Sequence, residues 1–221
     1  MKKESKKDIK HLEKELFSDR ERMEIWIAEN WKKCIYIAAG VVVAAVAVFA
    51  GISYSEKRSA AAAAALSGAS ADALPAVIEK YSGHPAEAIA RIRLARALQD
   101  KKDYAAAKKE YAKIAAMENC ADFLRNSAAL EAAFCDEFAG DIKSASAAFS
   151  AIESDNSFDV MSRAEAGYHA GRLLIKLGDF AKAEVLLKRL SVPMISGGEI
   201  WAFQSAQLLA ALKNGEFKTA K

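Results

Sequence analysis

The segment GDIKSASAAFSAI, residues 140–152, belongs to a pattern that recurs through the second half of the chain. A Gly-Asp pair opens the segment, a small alanine follows at 145, and large apolar residues follow at 149 and 152. The same order lies 38 residues downstream, at Gly178, Asp179, Ala183, Leu187 and Leu190. It also lies 38 residues upstream, at Lys102, Asp103, Ala107, Tyr111 and Ile114, with lysine in place of the glycine. A period of this length indicates stacked copies of one supersecondary unit.

Each copy has the residue types of a helical hairpin. A small residue lies 12 positions before each of the three alanines, at Ala95, Ala133 and Gly171. Small side chains allow two crossing helices to approach closely, and the large residues fill the space against the next unit. Glycine in the turn adopts positive φ and aspartate caps the following helix. Because no segment alternates apolar with polar residues for long, we predict an all-α chain.

The pattern resembles the tetratricopeptide repeat, a hairpin motif with a period of about 34 residues. It departs from that motif at the large residue expected early in the first helix, which here is Arg91, Ala129 or Gly167, and it lacks the closing proline. The extra length falls between units, around 119, at 154–159 and at 193–198. We therefore predict an α-α superhelix of degenerate tetratricopeptide-like hairpins at 85–221, with units at 85–119, 120–157 and 158–195 and a partial unit at 196–221.

No charged residue lies between Cys34 and Tyr54. These 21 residues span roughly 30 Å as a helix, the thickness of the hydrocarbon core of a bilayer. Trp31, Tyr36 and Tyr54 place aromatic rings at the two ends, where the membrane interface favours them. We predict a transmembrane helix at 34–54; a cleaved signal peptide and a buried helix of a soluble domain are the alternatives.

Positive charge close to the span predicts its orientation. Two arginines and two lysines lie between 20 and 33, with six more lysines farther out, whereas only Lys57 and Arg58 follow the span closely. We expect the N-terminus to stay in the cytoplasm and the repeats to lie on the other side of the membrane. The tail is either an amphipathic helix or a solvated segment. The predicted segments are a tail at 1–33, the span at 34–54, an alanine-rich stalk and packing helix at 55–84, and the repeats at 85–221.

The charge balance and the scarcity of reactive residues exclude several classes of function. A net charge of +3 provides no basic face for nucleic acid. No paired Cys-x-x-Cys, P-loop or nucleophile elbow occurs, and the three histidines are scattered, at His11, His84 and His169. The three cysteines, Cys34, Cys120 and Cys135, are interpreted as small hydrophobic residues. We predict a non-enzymatic protein with no catalytic residue, cofactor, metal site or small-molecule substrate.

Stacked hairpins curve, and the first helix of each unit lines the concave face. Aligning the small-residue positions places seven residues on that face as the predicted protein-binding site: Ile92, Arg96, Leu130, Phe134, Phe138, Tyr168 and Arg172. Glu137 and Glu165 fall on the same face. Aromatic anchors flanked by arginine suit an extended or helical peptide. In the alternative, a predicted helix at 71–81 fills this groove and the aromatic stripe becomes part of the core.

The whole layout resembles a bacterial family of tetratricopeptide-like ancillary subunits of the Sec translocon. The matching residues are Trp26 to Lys32 before the span, Tyr54 and Lys57 to Ala60 after it, Tyr81 with Pro85, and Ala90 to Ala97. The resemblance implies a single-pass protein of the bacterial inner membrane with periplasmic repeats. Its implied partners are the Sec translocon, a periplasmic chaperone and exported client proteins. The alternative function is a structural organiser of envelope or division machinery that acts through repeat-mediated binding or self-association.

Overall fold

A computed structural model describes residues 18–192 and 198–217. Over these residues the chain forms ten α-helices and one short 3-10 helix at Ala71–Ala73, and it forms no strand. The helices are α1 (Asp19–Glu29), α2 (Trp31–Gly68), α3 (Leu74–Lys80), α4 (Pro85–Asp100), α5 (Tyr104–Ala115), α6 (Asp122–Phe138), α7 (Ile142–Ser154), α8 (Val160–Lys176), α9 (Phe180–Leu190) and α10 (Glu199–Lys213). The chain divides into two compact units, Met1–Ala60 and Ala61–Lys221.

The first unit contains α1 and most of α2. A capping box starts α1, because the Ser18 hydroxyl accepts from the Glu21 amide while the Glu21 carboxylate accepts from the Ser18 amide at 2.8 Å. All side chains of α1 are exposed. The predicted amphipathic stripe extends back through Ile9, Leu12 and Leu16, which lie outside the described residues. The tail is therefore described only over its last turns.

Helix α2 is long and apolar enough to cross a membrane, by its length and composition. None of its most apolar 18-residue stretch is buried against the rest of the chain. This exposure favours a membrane span over the alternative of a buried core helix, which protein would cover. The helix continues past the predicted end of the span and stops only at Gly68, as expected for a stalk that extends the span.

The second unit is a stack of helical hairpins. The pairs α4–α5, α6–α7 and α8–α9 each pack along their length, and every second helix packs on the first helix of the next pair. The first helices also contact one another in order, α4 with α6, α6 with α8 and α8 with α10. This packing confirms the predicted α-α superhelix of tetratricopeptide-like hairpins.

The turns inside the hairpins have the predicted chemistry. Asp103, Asp141 and Asp179 each accept a hydrogen bond from the backbone amide three residues on, at 3.1, 3.0 and 3.3 Å. Gly140 and Gly178 adopt φ of 85° and 80°. Lys102 occupies the same turn position in the first hairpin and takes φ of 62°, a conformation that costs a residue with a side chain more than it costs glycine.

The small-residue positions allow the close approach of paired helices. Ala95 and Ala133 are completely or almost completely buried. At Gly171 an added Cβ would lie only 2.7 Å from Cδ2 of Leu187. At Gly167, where the tetratricopeptide motif has a large residue, a Cβ would lie 2.7 Å from Cδ1 of Leu190. The large side chain at this crossing is therefore supplied by the second helix of the hairpin.

The departures from the repeat motif fall in the connectors. The chain leaves helical structure between α5 and α6, between α7 and α8, and between α9 and α10, as the longer period predicts. Most of the third connector, residues 193–197, lies outside the described residues. In the partial unit, Gly215 follows α10 with φ of 79°. The predicted alanine landmark of that unit, Ala220, is also outside the described residues.

Helix α3 packs at the start of the stack. Its side chains Leu74, Val77 and Ile78, with Tyr81 just after it, form one buried cluster with Ala62, Leu66, Ala86 and Ala90. All four of these neighbours lie in α2 or α4. Among the described residues, the helix at 71–81 therefore packs on α2 and α4, and its buried cluster includes no residue of α6 or α8.

Candidate protein-binding face

The first helices of the hairpins, α4, α6, α8 and α10, present one continuous surface, which we call the A-face. Five rings on it, together with Tyr104 at the start of α5, form a connected aromatic row. Adjacent ring centroids are 5.8, 6.1, 4.8, 5.2 and 5.4 Å apart in the order Tyr104, Phe138, Phe134, His169, Tyr168 and Trp201. Aromatic rings at these separations and tilts attract one another, and this attraction adds to the stabilisation from burying their apolar surface. The row runs across three successive hairpins and onto α10.

The predicted site residues differ in how much surface they present. Phe138 is 55% exposed, Arg96 is exposed, and Phe134 and Tyr168 are half-buried. Ile92 is half-buried and packs against the core of the first hairpin.

Leu130 is 6% exposed and lies inside the core between α6, α7 and α8. It packs there with Phe149 and Leu173. A partner on the A-face cannot reach Leu130 without opening the hairpin. We therefore correct the predicted stripe: Phe134 and Phe138 contribute to the surface, and Leu130 supports them from below.

Arg172 is held by a neighbouring carboxylate. Its Nη1 and Nη2 donate to the two carboxylate oxygens of Glu137 at 2.7 and 2.6 Å. This bidentate ion pair links α8 to α6. This hydrogen bonding holds the pKa of Glu137 below its ordinary value. Arg172 therefore links the two helices that carry the aromatic row, and the Glu137 carboxylate neutralises most of its charge.

His169 lies where four rings meet. Its ring centroid is 4.8 to 5.5 Å from those of Phe134, Phe149, Tyr168 and Trp201. Burial, and then the nearby Arg172 guanidinium, lower the pKa of His169 to about 4. The ring is therefore neutral near pH 7 and acts as a fifth aromatic packing group.

One region of the A-face is acidic. Glu131 of α6 and Glu165 of α8 are half-buried, and burial raises the pKa of Glu165, with further contributions from the nearby Glu131 and Asp159. Glu131 also contributes, after burial, to raising the pKa of Tyr111 to about 12. Among the residues that the structure describes, no lysine or arginine forms an ion pair with either glutamate.

Sequence reasoning missed Trp201, Tyr104 and His169 as members of the row. Trp201 lies in the first turn of α10, in the partial unit, and Tyr104 is the first residue of α5, the second helix of the first hairpin. A search for aromatic residues in the first turn of every helix would have found both. His169 was noted only as one of three scattered histidines, and the structure places it in packing contacts with four rings.

The described residues contain no group of three or more His, Cys, Asp or Glu side chains positioned to hold a metal ion. Cys34, Cys120 and Cys135 are free thiols. Cys135 is 1% exposed in the core of the first hairpin, and burial raises the pKa of its thiol to about 11. It packs there as a small hydrophobic residue.

No protein-family model matches the chain, and no curated protein matches it. Two crystal structures are similar in fold, both of a putative kinesin light chain from Podosopora anserina with nearly identical TPR-like repeats. A point variant of that protein gives a TM-score of 0.48 and the other structure 0.47. Each is 15% identical, and each match covers 67% of this chain and 78% of the other. The likeness concerns the fold alone, and the class of this protein, a helical-hairpin repeat protein, rests on the packing described above.

Proposed function

We propose that this chain is a membrane-anchored protein-protein interaction module whose A-face binds another polypeptide. The observation that carries this proposal is the aromatic row, which crosses three hairpins and leaves Phe138 more than half exposed. Aromatic side chains in a supported row are effective anchors because they bury large area at little conformational cost. The proposed function is binding, without an enzymatic step.

The proposed location is the bacterial inner membrane. The apolar helix α2 supplies the single span, and the greater number of lysines and arginines before it favours a cytoplasmic N-terminus. The repeats then lie in the periplasm. On the family resemblance, the protein is an adaptor that assists secreted or envelope proteins at the Sec translocon together with a periplasmic chaperone.

A second candidate function is a structural organiser of envelope or division machinery. The observation that favours it is on α10, where Ile200 and Phe203 are 60% and 64% exposed. Exposed large apolar side chains three residues apart on one helix favour association with a second copy. Midcell localisation and self-crosslinking through α10 would favour this function over the adaptor.

A photo-crosslinking amino acid in place of Phe138 tests the adaptor function in cells. Irradiation should trap translocon subunits, an envelope chaperone or exported proteins, because this position lies on the exposed part of the aromatic row. The matched control is the same amino acid in place of Val185, which is 72% exposed on the second helix α9. Capture of cytosolic proteins alone, or equal capture at both positions, contradicts the proposal.

A further inference from the structure

We infer that the polypeptide bound by the A-face carries a lysine or arginine close to an aromatic or large apolar side chain. In this arrangement Glu131 and Glu165 receive the cation, and the aromatic row receives the apolar group. The inference rests on the proposed binding function and adds the chemistry of the partner.

The two glutamates stand apart from the other acidic residues of the repeats. Every other described carboxylate in the hairpins that is at least half-buried forms an ion pair within the chain: Glu87 and Glu110 with Arg91, Asp136 with Lys108, Glu137 with Arg172, Glu153 with Arg189, and Asp179 with Lys182. Glu131 and Glu165 are the two exceptions among the described residues. Partly buried carboxylates without a cation are costly, so their pairing with a partner's cation is favourable.

Helix geometry places the glutamates beside the aromatic row. Glu131 precedes Phe134 by three residues on α6, and Glu165 precedes Tyr168 by three and His169 by four on α8. Residues three and four apart are neighbours on one helix face, roughly 5 to 6 Å apart at Cβ. Each carboxylate therefore lies one turn from a ring, on two helices that contact each other.

The two carboxylates lie within electrostatic reach of each other, on the contacting helices α6 and α8. Burial raises the pKa of Glu165 first, and the charges of Glu131 and Asp159 add to the rise, as expected of like charges sharing a site. A ligand cation between the two glutamates removes this repulsion. Arg96 of α4 and Glu131 both act on the Tyr111 hydroxyl, and they form no ion pair with each other among the described residues.

On the other side of the aromatic row, the charged residues already neutralise each other. Glu137 and Arg172 satisfy each other through two hydrogen bonds. A bound peptide therefore meets net negative charge next to Phe134 and Tyr168 and a balanced pair one turn farther along α8. This asymmetry favours a basic residue at the end of the peptide that lies over Glu131 and Glu165.

The test uses the full chain in detergent micelles and three fluorescein-labelled peptides of otherwise serine and glycine. The first carries a lysine two residues from a tryptophan, the second replaces the lysine by glutamine, and the third replaces it by glutamate. Fluorescence polarisation should show the lysine peptide binding about tenfold more tightly than the glutamine peptide, and the glutamate peptide binding most weakly. Equal binding of the lysine and glutamine peptides overturns the inference.

Two variants locate the effect. Replacing both carboxylates, by Glu131→Gln with Glu165→Gln, should remove the lysine preference, so that the lysine and glutamine peptides bind equally. Charge reversal, by Glu131→Lys with Glu165→Lys, should transfer the preference to the glutamate peptide. Glu184→Gln, on the second helix α9, is the matched carboxylate control and should change nothing. A lysine preference that survives both double variants overturns the assignment to these residues.

The outcome separates this inference from the proposed function. If the crosslinker at position 138 captures envelope partners while the peptides bind without regard to charge, the binding function stands and the cation site fails. If the lysine preference depends on the two glutamates while position 138 captures cytosolic proteins alone, the cation site stands and the proposed location fails.

Discussion

At the scale of single residues, His169 shows how burial changes the role of a titratable group. Four rings and the Arg172 guanidinium surround it, and its Nδ1 lies 3.2 Å from Nη2 of Arg172. Protonation would place a second positive charge against that guanidinium inside a cluster of rings. The folded state therefore favours the neutral ring.

This preference predicts a pH-dependent stability. The pKa of His169 is about 4 in the folded chain and 6.5 ordinarily, so between these values the unfolded chain binds a proton that the folded chain does not. The contribution of the neutral ring is complete above pH 6.5 and is lost as the pH falls toward 4. Between pH 7 and 4.5 the free energy of unfolding should fall by about 2 kcal/mol more in the parent than in His169→Gln.

Urea unfolding of both proteins in the same detergent, at the two pH values, measures this difference. The carboxylates whose lowered pKa does not depend on His169, such as Asp141, weaken both proteins alike at low pH, so the comparison isolates the contribution of His169. Identical pH dependence in parent and variant would show that the ring is not held neutral by its surroundings.

At the scale of helices, the close crossing of α8 and α9 depends on the absence of a side chain. The ideal Cβ of an alanine at 171 would lie 2.7 and 2.9 Å from Cδ2 and Cγ of Leu187, which is completely buried. Alanine favours the helix over glycine by about 1 kcal/mol, whereas overpacking costs roughly 1 to 3 kcal/mol. We expect Gly171→Ala to lower the free energy of unfolding by about 1 kcal/mol.

Chemical unfolding of the variant measures this loss, and Gly68→Ala provides the control. Gly68 is also helical, at the end of α2, and an added Cβ there meets nothing within 4 Å. This control should be neutral or slightly stabilising. A stabilising Gly171→Ala would mean that Leu187 moves aside freely and that the crossing does not require a glycine.

At the scale of the whole molecule, the proposed membrane span and its orientation would decide which partners the A-face meets. In a cysteine-free background, Ser82→Cys, just before the first repeat, should react with a membrane-impermeant maleimide added to spheroplasts. Ser18→Cys, ahead of the span, should react only after lysis, because the positive charges beside it favour the cytoplasm. Both positions are exposed, so each serves as the control for the other. The reverse labelling pattern would place the A-face in the cytoplasm.

The sequence by itself was sufficient for the hairpins, their turns and the long apolar helix. Asp141 caps α7 by accepting a hydrogen bond from the amide three residues away, and Gly140 adopts the left-handed backbone conformation. The apolar run that ends before residue 55 is recognisable from its composition alone. These features depend on interactions within one or two helical turns. Residue order along a short stretch therefore determines them.

Only the tertiary structure decided what the A-face exposes. Leu130 and Phe134 are both apolar and lie one turn apart on α6. Leu130 nevertheless lies in the core, whereas Phe134 joins a surface row of rings that extends to Trp201. Arg172 finds its carboxylate 35 residues away, while Glu131 and Glu165 find no cation among the described residues. These outcomes depend on the angles at which separate helices pack, and the periodicity of a single helix does not specify those angles.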